Sequence, residues 1–371
     1  MKIAFVSHPM VGLLPPYHGS MGVQTYTIAS ALAKSCEVFV YGLEREQRGA
    51  KSGIYEGARY RFLPSSPKDR LVFKARDRLS RYVQISSPLS TSDLLYPSFG
   101  RQVAIDLEKE QCDIIHIQHC SQYVPIIRAF NPKSKIVLQI HAEWFSQSNL
   151  AVIERRLRPV DLLLTVSDYV TRKTQQDIPT IADRCETMYN GINPQEFDRE
   201  KGYQSASRRA EKRLLYIGGV WPHKGTHVLL DAFRIVAARY PQVRLDTVGH
   251  CGLASFPVEE CFDLNDQTQL RAVAPFFAKN HLARLKAKLG YGPADQGTYL
   301  GFLRAKLAGD LASKVNFHGF LSRRELVDYY YNADVFVFPP VWNEGFGCTP
   351  SKRWPPARRS SLRAAERLSK P

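Results

Sequence analysis

Residues 333–347 of this chain read ADVFVFPPVWNEGFG. The stretch begins with an apolar run, Val335–Phe338, which predicts a short strand. Two prolines end that strand, and the loop that follows places Glu344 directly before Gly345, Phe346 and Gly347. The stretch therefore predicts the end of a sheet-forming unit and a loop that combines one carboxylate with two glycines.

The first half of the chain alternates short apolar runs with helical patterns, of which Gly22–Lys34 is the clearest. Most runs are apolar nearly throughout, as strands buried on both faces are. This alternation predicts an α/β fold with a parallel, doubly wound sheet. The strand candidates are Lys2–Ser7, Cys36–Tyr41, Asp113–Gln118, Lys135–His141, Asp161–Ser167 and Glu186–Asn190.

The same alternation restarts in the second half, after a polar stretch at 200–212 that reads as a linker. We therefore expect two Rossmann-like domains, at 1–199 and 213–347, which face each other across a cleft. The later elements are expected at Leu214–Gly218, Thr226–Arg239, Val243–Val248, Val315–Phe317, Arg323–Asn332 and Val335–Phe338.

A long insertion, 251–313, interrupts the second domain and is rich in helix formers. Leu282, Leu285 and Leu289 share one helical face flanked by basic residues. The segment Pro67–Arg81 has a similar composition. Each segment fits either a helix on a membrane surface or a solvated helix packed on its own domain, and we favour the second.

Composition places the chain among soluble globular proteins, with 371 residues, 44% hydrophobic and 23% charged. The net charge of +16 raises the alternative of a basic module that binds nucleic acid or an anionic membrane. However, residues 351–371 contribute +6 of that charge, which leaves about +10 for the rest. The seven cysteines include no CxxC pair, and the N-terminal apolar run is too short for a signal peptide. Both observations favour a protein of the reducing cytoplasm.

Glycine-bearing loops follow several predicted strands. Pro15–Gly22 (PPYHGSMG) follows the first strand and opens a helix, so Gly19 and Gly22 would let backbone N–H groups approach a phosphate. A glycine turn before a helix is also common without any ligand, which leaves both readings open for this loop.

Leu214–Gly225 (LLYIGGVWPHKG) and the EGFG sequence that begins at Glu344 together carry a resemblance. They are similar to the donor-sugar site of the nucleotide-sugar glycosyltransferases of family 4, which are retaining enzymes of GT-B fold. The resemblance covers residues 1–347 outside the long insertion. It implies a fold of two Rossmann-like domains, with the second domain incomplete in this chain.

The resemblance implies roles for individual residues. Lys224, with Gly218 and Gly219, would meet the donor diphosphate, although the family usually has arginine where Gly219 stands. Glu344 would contact the sugar hydroxyls, and the backbone amides of Gly345, Phe346 and Gly347 would hold sugar and phosphate. Without the resemblance, Lys224 would read as a solvated lysine in the first turn of a helix and Glu344 as surface charge.

Two further stretches resemble the same family. Val315–Leu321 (VNFHGFL) is similar to the strand and turn that flank the base pocket, which makes Gly319 and Phe320 donor candidates. Tyr189–Ile192 (YNGI) resembles the NGID signature that closes the first domain, with Asn193 in place of its aspartate. We interpret this second stretch as evidence for the fold only, because an Asn-Gly turn is sufficient to explain it.

Three histidines fall near the ends of predicted strands, where open α/β sheets bind ligands. They are His116, His119 and His141. The family often has a histidine near here that touches the sugar or acceptor, and Gln118 stands where many members carry a second one. We expect His141 to be functional, and for His116 a hydrogen-bonded structural role is at least as well supported.

The last residues, 348–371 (CTPSKRWPPARRSSLRAAERLSKP), do not continue the resemblance. However, when the last base of each codon is joined to the first two of the next, 347–362 can encode LHPVEAMAAGTPVVA. This completes the family motif, with its second glutamate where Lys352 is written. We expect that one nucleotide was lost near the Gly347 codon, with a genuine basic, disordered tail as the alternative.

The resemblance implies transfer of a sugar, with retention, from a UDP- or GDP-sugar to a glycan, lipid-linked or small-molecule acceptor. We expect no metal, because the chain contains no Asp-x-Asp pair. We expect a cytoplasmic protein that makes polysaccharide or cell-envelope glycan, allows peripheral membrane contact and binds no nucleic acid. Little or no activity is expected from the chain as written. The alternative is the non-catalytic basic module.

Reading the DNA across the Gly347 codon tests the frameshift. We expect a downstream frame that encodes EAMAAGTPVVA, because the codons of residues 351–362 allow that sequence. If no frame encodes it, the basic tail is genuine and the frameshift hypothesis is wrong.

Overall fold

A computed structural model describes residues 1–15, 20–47, 49–79, 92–143, 145, 148–191, 210–250, 271, 299–307, 309–342 and 345, without the side chains of 76–79, 323 and 324. The chain divides into two compact units, Met1–Ile192 and Asn193–Pro371. None of the described helices is both long and apolar enough to cross a lipid bilayer.

The first unit is built on a sheet of eight strands. They are β1 (Lys2–Val6), β2 (Glu37–Leu43), β3 (Gly53–Tyr55), β4 (Ala58–Leu63), β5 (Ile114–Gln118), β6 (Lys135–Ile140), β7 (Leu162–Thr165) and β8 (Cys185–Thr187). Their order in the sheet is β3-β4-β2-β1-β5-β6-β7-β8. The six strands predicted from the sequence are all present, with ends shifted by up to three residues, and they pair in parallel.

Six helices among the described residues of this unit connect these strands. They are α1 (Ser20–Leu32), α2 (Pro67–Leu79), α3 (Pro97–Glu110), α4 (Val124–Phe130), α5 (Leu150–Leu157) and α6 (Asp168–Asp177). The central strands are almost wholly buried; Ala4, Val40 and Ile115, for example, have no exposed surface. Burial on both faces explains why these strands are continuously apolar.

The sheet is mixed rather than fully parallel, because β3 pairs with β4 in an antiparallel hairpin. Neither strand was predicted from the sequence. Glu56 and Gly57 form the turn with positive φ angles of 48° and 82°, the combination that a tight two-residue hairpin requires. In β4, Arg59 and Arg61 alternate with buried residues, so the strand lacks the continuous apolar run used to find the others.

Helix α2 packs on its own unit, as the favoured reading of this basic segment predicts. The buried carboxylate of Asp69 accepts hydrogen bonds from the backbone N–H (3.0 Å) and hydroxyl (2.9 Å) of Ser98 in the first turn of α3. The ring of Phe73 lies 5.4 Å from that of Tyr96. Leu71 is exposed on the same helix. The leucines at 282, 285 and 289 lie outside the described residues.

The second unit has a four-stranded parallel sheet with the order β11-β10-β9-β12. Its strands are β9 (Lys212–Ile217), β10 (Val243–Val248), β11 (Val315–Phe317) and β12 (Val335–Phe336), and its helices are α7 (Thr226–Arg239), α8 (Tyr299–Ala305) and α9 (Arg323–Asn332). The predicted bounds of α7, α9, β10 and β11 are confirmed. Leu230, Phe233, Leu245 and Leu303 form the centre of its core.

A polar network around one buried carboxylate, that of Asp246, ties α9 to the sheet. Asp246 in β10 accepts hydrogen bonds from Asn316 Nδ2 (3.0 Å) and His318 Nε2 (2.7 Å). The other ring nitrogen of His318, Nδ1, lies 3.1 Å from the hydroxyl of Tyr329 in α9. These hydrogen bonds offset the free-energy cost of burying the Asp246 carboxylate between the strands and the helix.

Gly225, just before α7, is in close contact with the segment that follows β12. It has a positive φ of 73°, and a Cβ atom there would lie 1.7 Å from the carbonyl oxygen of Pro339. Gly309 also has a positive φ, 62°, but a Cβ atom there would meet nothing within 4 Å. The two glycines therefore share a backbone constraint and differ in packing.

Replacing Gly225 with alanine should destabilise the second unit far more than Gly309→Ala. We expect a loss of about 1 kcal/mol for Gly309→Ala from the strained backbone alone, and about 3 kcal/mol or more for Gly225→Ala. Urea unfolding of the full chain measures both. Equal losses would show that the contact with Pro339 does not constrain the fold.

Candidate functional site

The loops at the carboxyl edge of the second sheet are joined by backbone hydrogen bonds. The N–H of Gly218, after β9, donates to the carbonyl of Val248 (2.9 Å), and the N–H of Gly249, after β10, donates to Gly319 (2.8 Å). A Cβ atom on Gly249 would lie 1.9 Å from the Gly218 carbonyl oxygen. The structure therefore brings together two predicted site residues, Gly218 and Gly319, from different loops.

The space beside Gly219 is occupied by an aromatic ring. A Cβ atom on Gly219 would lie 2.0 Å from Nε1 of Trp221. The indole of Trp221 is nearly parallel to the ring of His250, at 15°, with the centroids 6.2 Å apart. Any side chain at 219 would require Trp221 to move, so the glycine and the tryptophan belong to one local arrangement.

Lys224 ends a short 3₁₀ turn, Pro222–Lys224, that leads into α7. Its ammonium nitrogen lies 4.7 Å from the centroid of the Trp342 ring, within the range of a cation–π contact. The N-terminal end of this fourteen-residue helix adds a partial positive charge. One first-turn amide, that of His227, already donates to the hydroxyl of Tyr299 (3.0 Å).

The segment after β12 is held against the turn that carries Lys224. The N–H of Val341 donates to the carbonyl of His223 (3.0 Å), and the ring of His223 lies 4.7 Å from that of Trp342. Burial, assisted by the charge of Lys224, lowers the pKa of His223 to about 3, so this ring is neutral near pH 7. Gly345 is buried.

The other predicted donor residues differ in their surroundings. Phe320 is exposed at the carboxyl end of β11. Gly22 lies in the first turn of α1, where a Cβ atom would come within 2.1 Å of the Gly12 carbonyl oxygen, so packing alone requires a glycine there. The residues that lie outside the described part of the chain are Gly19, Glu344, Phe346 and Gly347.

In the first unit, three histidines meet at the carboxyl ends of neighbouring strands. His8 follows β1, His119 follows β5 and His141 follows β6. The ring centroids of His8 and His119 are 6.0 Å apart, and those of His119 and His141 are 6.2 Å apart. We call this group the histidine edge. It lies where β1 and β5 send their connections in different directions, the usual ligand position in such sheets.

Hydrogen bonds fix the ring orientations at the histidine edge. His119 Nδ1 accepts from the backbone N–H of His141 (3.3 Å), and His119 itself has a positive φ of 66°. His141 Nε2 is bonded to the side-chain oxygen of Gln118. His8 Nδ1 accepts from the N–H of Met10 (3.3 Å), and its buried Nε2 has no partner within the described part of the chain.

Burial holds these histidines neutral. It lowers the pKa of His119 to about 4 and, together with the nearby His119 ring, that of His8 to about 3. Burial also lowers the pKa of His141 well below its usual value. His116 lies inside β5 with its ring 5.0 Å from Phe5, and burial lowers its pKa to about 4. Its position in the sheet core supports a structural role.

No group of three or more His, Cys, Asp or Glu side chains within the described ranges is arranged to hold a metal ion.

Comparisons with known proteins agree with both units. The model of Glycosyltransferase Family 4 matches residues 21–196, and that of Glycosyl transferases group 1 matches residues 198–351. The chain belongs to glycosyltransferase family 4. Spore coat protein SA of Bacillus subtilis (strain 168) is 23% identical over 261 residues, which cover 67% of this chain and 61% of that protein.

Solved structures establish the GT-B fold of this family 4 chain. Sucrose-phosphate synthase from Thermosynechococcus elongatus superposes with a TM-score of 0.61 at 15% identity, covering 95% of this chain and 78% of the other. The E. coli trehalose-6-phosphate structure bound with UDP-2-fluoro glucose gives a TM-score of 0.59 at 13% identity, covering 93% and 79%. The likeness at these identities concerns the fold.

Three residues that the structure places at these edges of the family 4 chain were not predicted from the sequence. His8 is adjacent to His119 only because β1 pairs with β5, so its single signal was a histidine just after a strand. Trp221 and Trp342 are aromatic residues in loops, and nothing in the sequence indicates what they contact.

The buried imidazole of His116 predicts that the folded chain is sensitive to acid. His116 has a usual pKa of 6.5 and a folded-state pKa of about 4, so between these values the unfolded chain binds more protons than the folded chain. The free energy of unfolding should therefore fall as pH decreases from about 6.5 towards about 4, by up to about 1.4 kcal/mol per pH unit for each such histidine.

Urea unfolding between pH 6.5 and 5, above the range where most carboxylates titrate, measures this slope. His116→Gln should reduce it, whereas the exposed His250 offers a matched control in His250→Gln. An unchanged slope in His116→Gln would contradict the prediction.

Proposed function

We propose that the chain transfers a sugar, with retention of configuration, from a nucleoside diphosphate sugar to an acceptor hydroxyl. The donor diphosphate would bind at the carboxyl edge of the second sheet, beside Lys224. The E. coli structure of the same fold is bound with UDP-2-fluoro glucose, which supports the donor class and leaves UDP and GDP both open. Polysaccharide or cell-envelope glycan synthesis is the setting that the family resemblance implies.

The position of Lys224 carries the proposal. Lys224 directly precedes Gly225, the N-cap of α7, and follows the glycine loop in which Gly218 is joined to Val248. Cations, helix N-termini and close-packed glycines are each suited to bind phosphate. If Lys224 were a lysine without a ligand, the close packing of glycines around this loop would have no explanation.

This arrangement suits the chemistry of the leaving group. When the glycosidic bond to the donor breaks, negative charge grows on the diphosphate, and a fixed cation and backbone dipoles stabilise that charge. Glu344 would orient the sugar through its hydroxyls. We expect little or no transfer from the chain as written, because Lys352 stands where the resemblance places a second donor-site glutamate.

The histidine edge supports the acceptor side of the proposal. His141 is neutral and its Nε2 donates to Gln118, so the ring is fixed for contact with a sugar or an acceptor hydroxyl. Retaining glycosidases use two close carboxylates, one of them as a nucleophile. The sequence identifies no nucleophile of that kind, so we infer attack from the face of the leaving diphosphate.

Titration calorimetry of the full chain with UDP and with GDP tests the donor site. Lys224→Met should weaken binding of the preferred nucleotide by about tenfold, the effect of losing one charge-assisted phosphate contact. Lys306→Met is the matched control, since it removes the same charge from a lysine paired with Asp231 (2.7 Å) on α7 and should change affinity less than about twofold.

The configuration of sugar first released from the bound donor, followed by NMR, tests retention. Absence of binding to either nucleotide, or an equal effect of Lys224→Met and Lys306→Met, would overturn the proposal. Glu344→Ala distinguishes the alternative, because a basic module would bind nucleic acid or anionic vesicles with steep salt dependence and would tolerate that change.

A further inference from the structure

The cation at the proposed donor site, the Lys224 ammonium, contacts an aromatic ring from a distant part of the chain. Lys224 Nζ lies 4.7 Å from the centroid of Trp342, although the two residues are 118 positions apart. A tryptophan ring has a negative electrostatic face that attracts an ammonium group, more strongly than the ring of phenylalanine or tyrosine does. The contact therefore restricts where the ammonium can lie.

Further contacts hold Trp342 in place. The ring of His223 lies 4.7 Å from it, and Val341, the preceding residue, is hydrogen-bonded to the His223 carbonyl (3.0 Å). Gly225 allows this approach, because any larger residue would collide with Pro339. The indole is therefore packed against two consecutive residues of the turn, His223 and Lys224.

The electrostatics of the turn agree with this arrangement. Burial lowers the pKa of His223 to about 3, so the ring that shares Trp342 with the lysine carries no charge. A charged imidazole there would repel the ammonium and compete for the indole face. Lys224 is also the only Lys or Arg between 214 and 225, since glycine stands at 219.

Fixing this lysine has an energetic consequence. A lysine side chain has about 2 kcal/mol of rotamer entropy, part of which is lost when it binds a phosphate. When the loop has one cation, affinity for the phosphate is higher if that cation is already ordered before the ligand binds, because less entropy is then lost on binding.

We propose that Trp342 is a positioning residue, which holds the Lys224 ammonium where it meets the diphosphate of the donor. The inference rests on the proposed donor function and adds a specific dependence of diphosphate affinity on the aromatic ring at 342. It assigns Trp342 no contact with the nucleotide.

A double-mutant cycle on the full chain tests this dependence. Calorimetry with UDP and GDP compares wild type, Trp342→Leu, Lys224→Met and the double variant. We expect Trp342→Leu alone to weaken the preferred diphosphate about two- to fivefold, the range of an exposed or partly buried cation–π contact. In the Lys224→Met background the same change should have less than about a 1.5-fold effect.

A second readout reports the contact without any ligand. After reductive ¹³C-methylation, the signal of Lys224, assigned by its loss in Lys224→Met, should carry an upfield ring-current shift that Trp342→Leu removes. If Trp342→Leu fails to fold, a multiply fluorinated tryptophan at 342 preserves the shape and weakens the negative face, and it should give the same two- to fivefold loss.

The outcomes separate the two proposals. Equal losses from Trp342→Leu in both backgrounds, or no loss while Lys224→Met still weakens binding, would overturn the positioning role and leave the donor site standing. A full affinity with fluorinated tryptophan would do the same. If Lys224→Met has no effect, or neither nucleotide binds, the donor proposal fails and the positioning role fails with it.

Discussion

The pairing of β12 with β9 is the contact on which the second unit's candidate site depends. Only two residue pairs join these strands, Val335 with Leu214 and Phe336 with Leu215. Asp334 reinforces them, because its carboxylate accepts from the N–H of Arg213 (2.9 Å) and its own N–H donates to the Arg213 carbonyl (2.7 Å). This register directs the residues after β12 towards the turn that carries Lys224. The short β12–β9 pairing therefore aligns two loops that lie far apart in sequence.

In the first unit, parallel strand pairing also brings distant residues together, but the residues it brings together are imidazole rings that burial keeps uncharged. Parallel pairing of β1, β5 and β6 brings three imidazole rings to one edge, where burial keeps them neutral. Within the described part of the chain the buried N–H of His8 has no partner, and such a group opposes folding by about 1–3 kcal/mol, which the apolar strands beneath must offset. Buried polar groups that cost stability and lie at a ligand-binding edge are typical of functional sites.

Much of the fold could be predicted because buried parallel strands have a strong local signal. The continuous apolar runs gave β1, β5 and β6 to within a residue, and helical periodicity gave α7 and α9 with their observed bounds. The hairpin β3–β4 was missed because β4 lies next to the edge strand, where its arginines alternate with buried residues. The turn of this hairpin did carry one signal, Gly57. It has a positive φ angle, which glycine adopts more easily than other residues do.

The sequence by itself determined the fold class, the family resemblance and the candidates Lys224 and His141, because strand periodicity and short loop motifs are local properties of the chain. The tertiary structure decided which of these side chains meet. His8 joins His119 through the β1–β5 register, and Trp342 joins Lys224 through β12 and the close approach of Gly225 to Pro339. Such contacts arise from strand order and backbone clearance between distant segments, which no local pattern of residues records.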